Sequence, residues 1–176
     1  MKAAAVAAVV LVATGVFVAE FARVHGSSME PTLSSGDRII FEKISMRRGG
    51  PARFDIVVFK APNDPDTIYI KRVVGLPDEV VEARAGRLVV NGVETPLPAG
   101  VSWGTADVAP AAVGPAHYFV TGDNLAESVD SRQWGAVPRD YILGTVWLRF
   151  WPAGKMTVFK RESAAATGAR DGDKGI

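Results

Sequence analysis

Short apolar runs, repeatedly interrupted by turn formers, constrain this chain more than any other feature of its sequence. From Phe21 to about Lys160 no stretch keeps a 3.6-residue hydrophobic period. Strand-like runs recur instead, at Arg38–Phe41, Asp55–Lys60, Thr67–Gly75, Val80–Ala83, Leu88–Val90, His117–Thr121 and Ile142–Phe150. Turn signals stand between them, among them Ser34-Ser35-Gly36-Asp37, Gly49-Gly50-Pro51, Pro62-Asn63-Asp64-Pro65, Ala85-Gly86 and Asn91-Gly92. With 18 Gly and 11 Pro in 176 residues, the chain has breakers enough for many short strands. The pattern predicts a mainly β domain, its antiparallel sheets coiled into a compact sandwich or barrel-like body. Glu94–Pro115, rich in Pro, Gly and Ala, reads as a surface excursion, and residues 161–176 read as a disordered tail.

One segment breaks this pattern. Ala3 to Ala19 is uncharged and Ala/Val-rich, bounded by Lys2 and Glu20. A helix of that length spans about 26 Å at ~1.5 Å per residue, the short end of a membrane span. A cleavable export signal has a similar profile, but the run passes into Glu20–Met29 with no turn-rich spacer. An uncleaved single-pass anchor over residues 1–20 is the reading adopted. Lys2 is the one basic side chain at its amino end, which weakly favours an inside tail and an outside domain. Residues 21–160 then form the folded domain.

Composition removes several function classes. Twenty Lys and Arg against nineteen Asp and Glu leave a net charge of +1, without the basic excess of a dedicated nucleic-acid binder. The absence of cysteine excludes disulfides and thiolate metal sites, and two histidines, His25 and His117, exclude a His-rich metal centre. No phosphate-binding glycine motif is present. No metal and no cofactor are expected.

Three segments carry reactive side chains. Gly26-Ser27-Ser28-Met29-Glu30-Pro31-Thr32-Leu33 follows the apolar run directly. Pro31 stiffens the backbone there, and Gly26 lets it approach a ligand closely. A serine in such a bend is either an ordinary solvated turn residue or an exposed nucleophile. In Ile68-Tyr69-Ile70-Lys71-Arg72-Val73-Val74-Gly75, two adjacent cations interrupt an apolar strand. Alternation puts Tyr69, Lys71 and Val73 on one face, and Ile68, Ile70, Arg72 and Val74 on the other. One cation can reach water, but the other must then lie among apolar neighbours, where a lysine can lose its proton and an arginine cannot. The third segment holds Gly122-Asp123-Asn124, then Ser128-Val129-Asp130-Ser131-Arg132, after the strand Tyr118–Val120. Its small hydroxyls and carboxylates are either turn formers or groups that orient a catalytic side chain. Asp130 and Arg132 can pair.

Together these segments resemble the type I signal peptidases, membrane-anchored serine proteases with a Ser/Lys dyad. The likeness runs from the apolar segment to about Lys160. It includes Gly26–Leu33, Phe54–Phe59, Lys71–Pro77, Asn91-Gly92 and Gly122–Gly135 in order. The resemblance implies Ser28 as nucleophile and Lys71 as general base. It implies Ser128 as the hydroxyl that bonds the lysine, and Asp130 with Arg132 as a structural pair. Some relatives carry an oxyanion-hole hydroxyl where this chain has Gly26, so that hole would rest on backbone N–H groups. Phe21, Val24, Met29, Leu33, Ile68 and Ile70 are expected as substrate-pocket walls. A compact domain with one small β extension over about 76–116 is expected.

The implied activity is removal of signal peptides from exported preproteins at small residues. The implied place is the cytoplasmic (inner) membrane, with the catalytic domain on the extracytoplasmic side, where preproteins and the bilayer are the partners. Two departures stand out. Gly75-Leu76-Pro77-Asp78-Glu79 replaces the family's G-L-P-G-D, and Leu125-Ala126-Glu127 replaces the middle of G-D-N-R-D-N-S. They keep two alternatives in view: a catalytically silent, membrane-tethered β domain that binds exported chains, and a specialised Ser/Lys maturation peptidase.

Overall fold

The computed structural model describes residues 19–160. The expected anchor lies outside the described residues except for its last two positions, and the expected tail lies wholly outside them. Ala19 and Glu20 begin a strand instead: β1 (Ala19–Arg23) pairs antiparallel with β2 (Arg38–Glu42), Ala19 facing Glu42 and Arg23 facing Arg38. Glu20 also forms an ion pair with Lys43, so the strand takes up the charge that ends the apolar run. Among the described residues no helix is long and apolar enough to cross a membrane.

In chain order β2 is followed by the short helix α1 (Ile44–Arg47), β3 (Ile56–Ala61), β4 (Asp64–Gly75), β5 (Val80–Arg84), β6 (Arg87–Val90), β7 (Val93–Glu94), β8 (Val108–Ala112) and β9 (His117–Thr121). Helix α2 (Ser131–Trp134), β10 (Val137–Pro138), β11 (Ile142–Trp151) and β12 (Thr157–Val158) complete the described chain. The fold is mainly β, and the strand pairs are antiparallel. The larger sheet runs β1-β2-β11-β3-β4-β9-β10, with β12 beside β11; the smaller runs β7-β6-β5-β8.

Three apolar clusters hold these sheets. Val24, Met29, Leu33, Ile39, Phe41, Ile56, Val58 and Val146 form one; Val57, Phe59, Val73, Tyr118, Val120, Val137 and Ile142 form another. The third, around Val74, Val81, Leu88, Trp103, Val113 and Phe119, joins the smaller sheet to the larger. It corrects the reading of Glu94–Pro115 as a surface excursion: β8 lies within that segment, and Trp103 and Val113 are buried. The segment's Pro, Gly and Ala content hides one large anchor whose burial depends on β5 and β6.

The turn between β4 and β5 absorbs the first departure. Asp78 takes the left-handed conformation, φ 65°, which Asp adopts more readily than most residues. Glu79 accepts from the Leu76 N–H at 2.7 Å and pairs with Arg53, so the loop closes without the glycine.

Candidate active site

Ser28 sits in the bend that follows β1. Two turn hydrogen bonds, Glu30 N–H to Ser27 O and Leu33 N–H to Met29 O, wind the bend. Met29 and Leu33 fasten it to the first apolar cluster. Val24 and Asp37 close its base, Val24 N–H donating to Asp37 O at 2.8 Å. The Asn124 N–H holds the Ser28 carbonyl at 3.0 Å from the far side. Gly26 has φ 83°, which frees the backbone to turn into the bend.

Lys71 projects from β4 to meet it. Its Nζ donates to Ser28 Oγ at 2.6 Å and lies 5.6 Å from the centre of the Tyr69 ring. The side chain is 3% exposed. Burial pushes the Lys71 amine down to about 8; Asp130 and Asp123 pull it back up, while Arg132 adds to the depression. Desolvation dominates because an ammonium loses more by leaving water than distant carboxylates restore.

Both cations of the strand are buried. Arg72 is as buried as Lys71, on the opposite face, and its charge is matched. Nε and Nη2 bond the two oxygens of Asp123 at 2.7 Å each, and Nη1 bonds the Phe54 carbonyl at 2.8 Å. Thr32 donates to the same carboxylate and accepts from Arg72 Nη2 at 3.2 Å. One strand thus presents a paired cation on one face and, on the other, an amine that meets a hydroxyl.

The 122–132 loop forms a second frame. Asp130 is fully buried; it accepts from the Gly122 N–H at 3.0 Å and from Arg132 Nε at 2.7 Å and Nη2 at 3.0 Å. Arg132 Nη2 also bonds the carbonyls of Leu125 and Ser128. The second departure lies here as a 3₁₀ turn, Leu125–Glu127, tied down by that guanidinium. Ser128 Oγ accepts from the Gly122 N–H at 3.2 Å; the hydrogen bond of the Lys71 amine goes to Ser28, not to Ser128. Gly122 fits because its backbone packs against both serines: a Cβ there would lie 2.4 Å from the Ser28 carbonyl oxygen and from Ser128 Oγ.

A cleft of about 630 Å³ opens onto the Ser28–Lys71 pair. Of the residues expected as pocket walls, Phe21, Val24, Met29, Ile68 and Ile70 line this cleft, and Gly26 lies beside them. Leu33 does not line the cleft: it is fully buried in the first cluster and anchors the Ser28 bend from beneath. Its spacing from Met29 along a helix-like turn turns it into the core. Arg72, Asp123 and Thr32 were not singled out from sequence as parts of the site. The signal that could have found them is charge in an apolar strand, because a buried guanidinium requires a carboxylate partner.

Comparison with known proteins gives a consistent set of relatives. The family described as "Signal peptidase, peptidase S26" matches residues 1–151. A probable signal peptidase I-2 of Synechocystis sp. is 42% identical over 158 residues, covering 84% of this chain and 71% of its own. A signal peptidase I of Leptolyngbya laminosa is 40% identical over 163 residues, covering 84% and 77%. Among solved structures, a signal peptidase I of Enterococcus faecalis has 32% identity and a TM-score of 0.47, covering 54% of this chain and 95% of that one.

Proposed function

Since the chain belongs to the signal peptidase family, peptidase S26, and is a serine endopeptidase that removes signal peptides, we propose that Ser28 is its nucleophile and Lys71 its general base. The observation that carries this is the 2.6 Å contact between a buried amine and a hydroxyl at the floor of an open cleft. An amine with a value near 8 is neutral in a useful fraction at neutral pH, as a base requires. In that form the hydrogen bond reverses, and the hydroxyl donates to the nitrogen lone pair.

Ser28 Oγ attacks the scissile carbonyl carbon while its proton passes to Lys71 Nζ. The tetrahedral oxyanion is met by backbone N–H groups, and the Ser28 N–H has no other acceptor among the described residues. The Lys71 ammonium then protonates the departing amine nitrogen, leaving an acyl-enzyme and a neutral base. Water gives a proton to Lys71 and attacks the ester; the C–O bond to Ser28 breaks as the Lys71 ammonium returns that proton to Ser28 Oγ, which releases the signal peptide and restores hydroxyl and base. Ser128 stands behind Gly122, while Asp130 and Arg132 stiffen the loop that carries it.

The substrate enters as an extended strand. β1 is the outer strand of its sheet, and β4 meets β9 only from Arg72 onward, so two free strand edges flank the cleft. Their N–H and C=O groups can pair with a peptide backbone. The apolar walls accept small side chains at the cleavage site. The apolar segment that precedes β1 serves as the membrane anchor in this proposal, delivering the site to tethered preproteins on the extracytoplasmic side. Against the silent-domain alternative, both departures are accommodated without disturbing the Lys71–Ser28 contact.

The deciding experiment pairs a serine-reactive acyl probe with a pH profile of preprotein cleavage. The probe should label the wild type but not Ser28→Ala. kcat/KM should rise as pH climbs through about 8 and level off above it, because the neutral amine is the active form. Labelling of Ser28→Ala, or a rate flat across that range, removes the assignment.

A further inference from the structure

The second departure places a carboxylate in the cleft. Glu127 ends the 3₁₀ turn, is exposed, and lines the same cleft as Ser28 and Lys71. Among the described residues its side chain has neither a hydrogen bond nor an ion pair. The other carboxylate of the cleft, Glu20, is already paired with Lys43. Besides Lys71, which donates to Ser28 Oγ, the cation lining the cleft is Arg23, on β1. The cleft therefore carries positive charge on its β1 wall and an unmatched negative charge on the loop that grips the Ser27 and Ser28 carbonyls.

We propose that Glu127 is a specificity-determining residue, selecting preproteins with a basic side chain in the first two positions after the scissile bond. This rests on Ser28 and Lys71 being the catalytic pair. A peptide that runs along β1 up to Ser28 next meets the 122–127 loop, so the residues beyond the bond pass Glu127. The turn is rigid: Asn124 N–H is bound to Ser28 O, Glu127 N–H to Asn124 O, and Leu125 O to Arg132. The carboxylate is thus held at a fixed place relative to the nucleophile, although its tip stays in water. A solvent-exposed charge pair is weak and screened by salt, so the preference should be about two- to five-fold at low ionic strength.

The test uses three preproteins identical except for Lys, Gln or Glu at those two positions. They are cleaved by the wild type, Glu127→Gln and Glu127→Lys at low and high salt. The readout is the Lys-to-Glu ratio of kcat/KM within each enzyme, which cancels any difference in folded fraction. The expected ratio exceeds one for the wild type, approaches one for Glu127→Gln, inverts for Glu127→Lys and shrinks with salt. Cleavage of the Gln substrate with a ratio that ignores position 127 overturns the selectivity and leaves the catalytic pair standing. Failure of the wild type to cut any of the three overturns both.

Discussion

At the scale of single residues, the catalytic proposal and stability pull in opposite directions. Lys71 has a folded value of about 8 against an ordinary 10.5. Below pH 8 the folded and unfolded chains both carry the charge, and the full cost of burying it is present. Between 8 and 10.5 the unfolded chain holds a proton that the folded one has released, so stability rises with pH; above 10.5 the penalty is gone. At 1.36 kcal/mol per unit, the penalty at neutral pH is about 3 kcal/mol. Lys71→Met keeps the length of the side chain without the charge. It should therefore lose preprotein cleavage while becoming more stable at pH 7, by up to about 3 kcal/mol, with the gain fading towards pH 10. Urea denaturation of both proteins at several pH values checks this; a gain that does not change with pH would mean the amine is not held under strain. Glu42 behaves in the opposite sense. Burial pushes its carboxyl up, but hydrogen bonds from Ser45, Thr145 and the Ile44 and Ser45 amides outweigh that and hold it below the usual range.

At the scale of elements, β4 and the 122–132 loop fix the site between them. Strand alternation sends Lys71 and Arg72 to opposite faces, and Asp123 takes the guanidinium there. Removing one partner leaves a buried charge unmatched. Asp123→Asn should cost about 3–5 kcal/mol in chemical denaturation, whereas Arg72→Met combined with Asp123→Leu should recover much of that loss. Equal losses in the single and double variants would show that the pair itself does not matter. Gly122 is the second hinge of the arrangement. Gly122→Ala drives a methyl group into the Ser28 carbonyl and Ser128 Oγ, displacing the Ser28 bend. Since a shift of about 1 Å near the chemistry can lower the rate ~100-fold, kcat/KM should fall far more than the melting temperature. Unchanged turnover would mean that the bend relaxes without moving Ser28 Oγ.

For the whole molecule, two sheets share the labour unequally. The Ser28–Lys71 pair and the cleft belong to the larger sheet and its loops, while Trp103 belongs to the cluster under the smaller one. Trp103→Ala should therefore lower stability by about 3–5 kcal/mol, yet leave cleavage per folded molecule unchanged, as active-site titration would show. Loss of rate per titrated site would tie the smaller sheet to catalysis. How much of this was legible in the sequence follows the range of each interaction. Strands such as His117–Thr121 could be read directly because alternation and turn residues act over a few neighbours. β8 escaped because Ala and Pro give no periodic signal and its pairing with β5 is long-range. Ser28 and Lys71 were readable as residue types in ordered motifs, and Leu33 was misplaced because the same apolar side chain serves a pocket wall and a core equally well. The sequence by itself determined a mainly β chain, the cation-bearing apolar strand and the serine bend, since these depend on local sterics and side-chain chemistry. Only the tertiary structure decided that two residues 43 positions apart, Ser28 and Lys71, meet at 2.6 Å and that Arg72 turns away to Asp123. Burial, and with it the lowered pKa of the Lys71 amine, arises from surfaces contributed by distant segments, which no local pattern can specify.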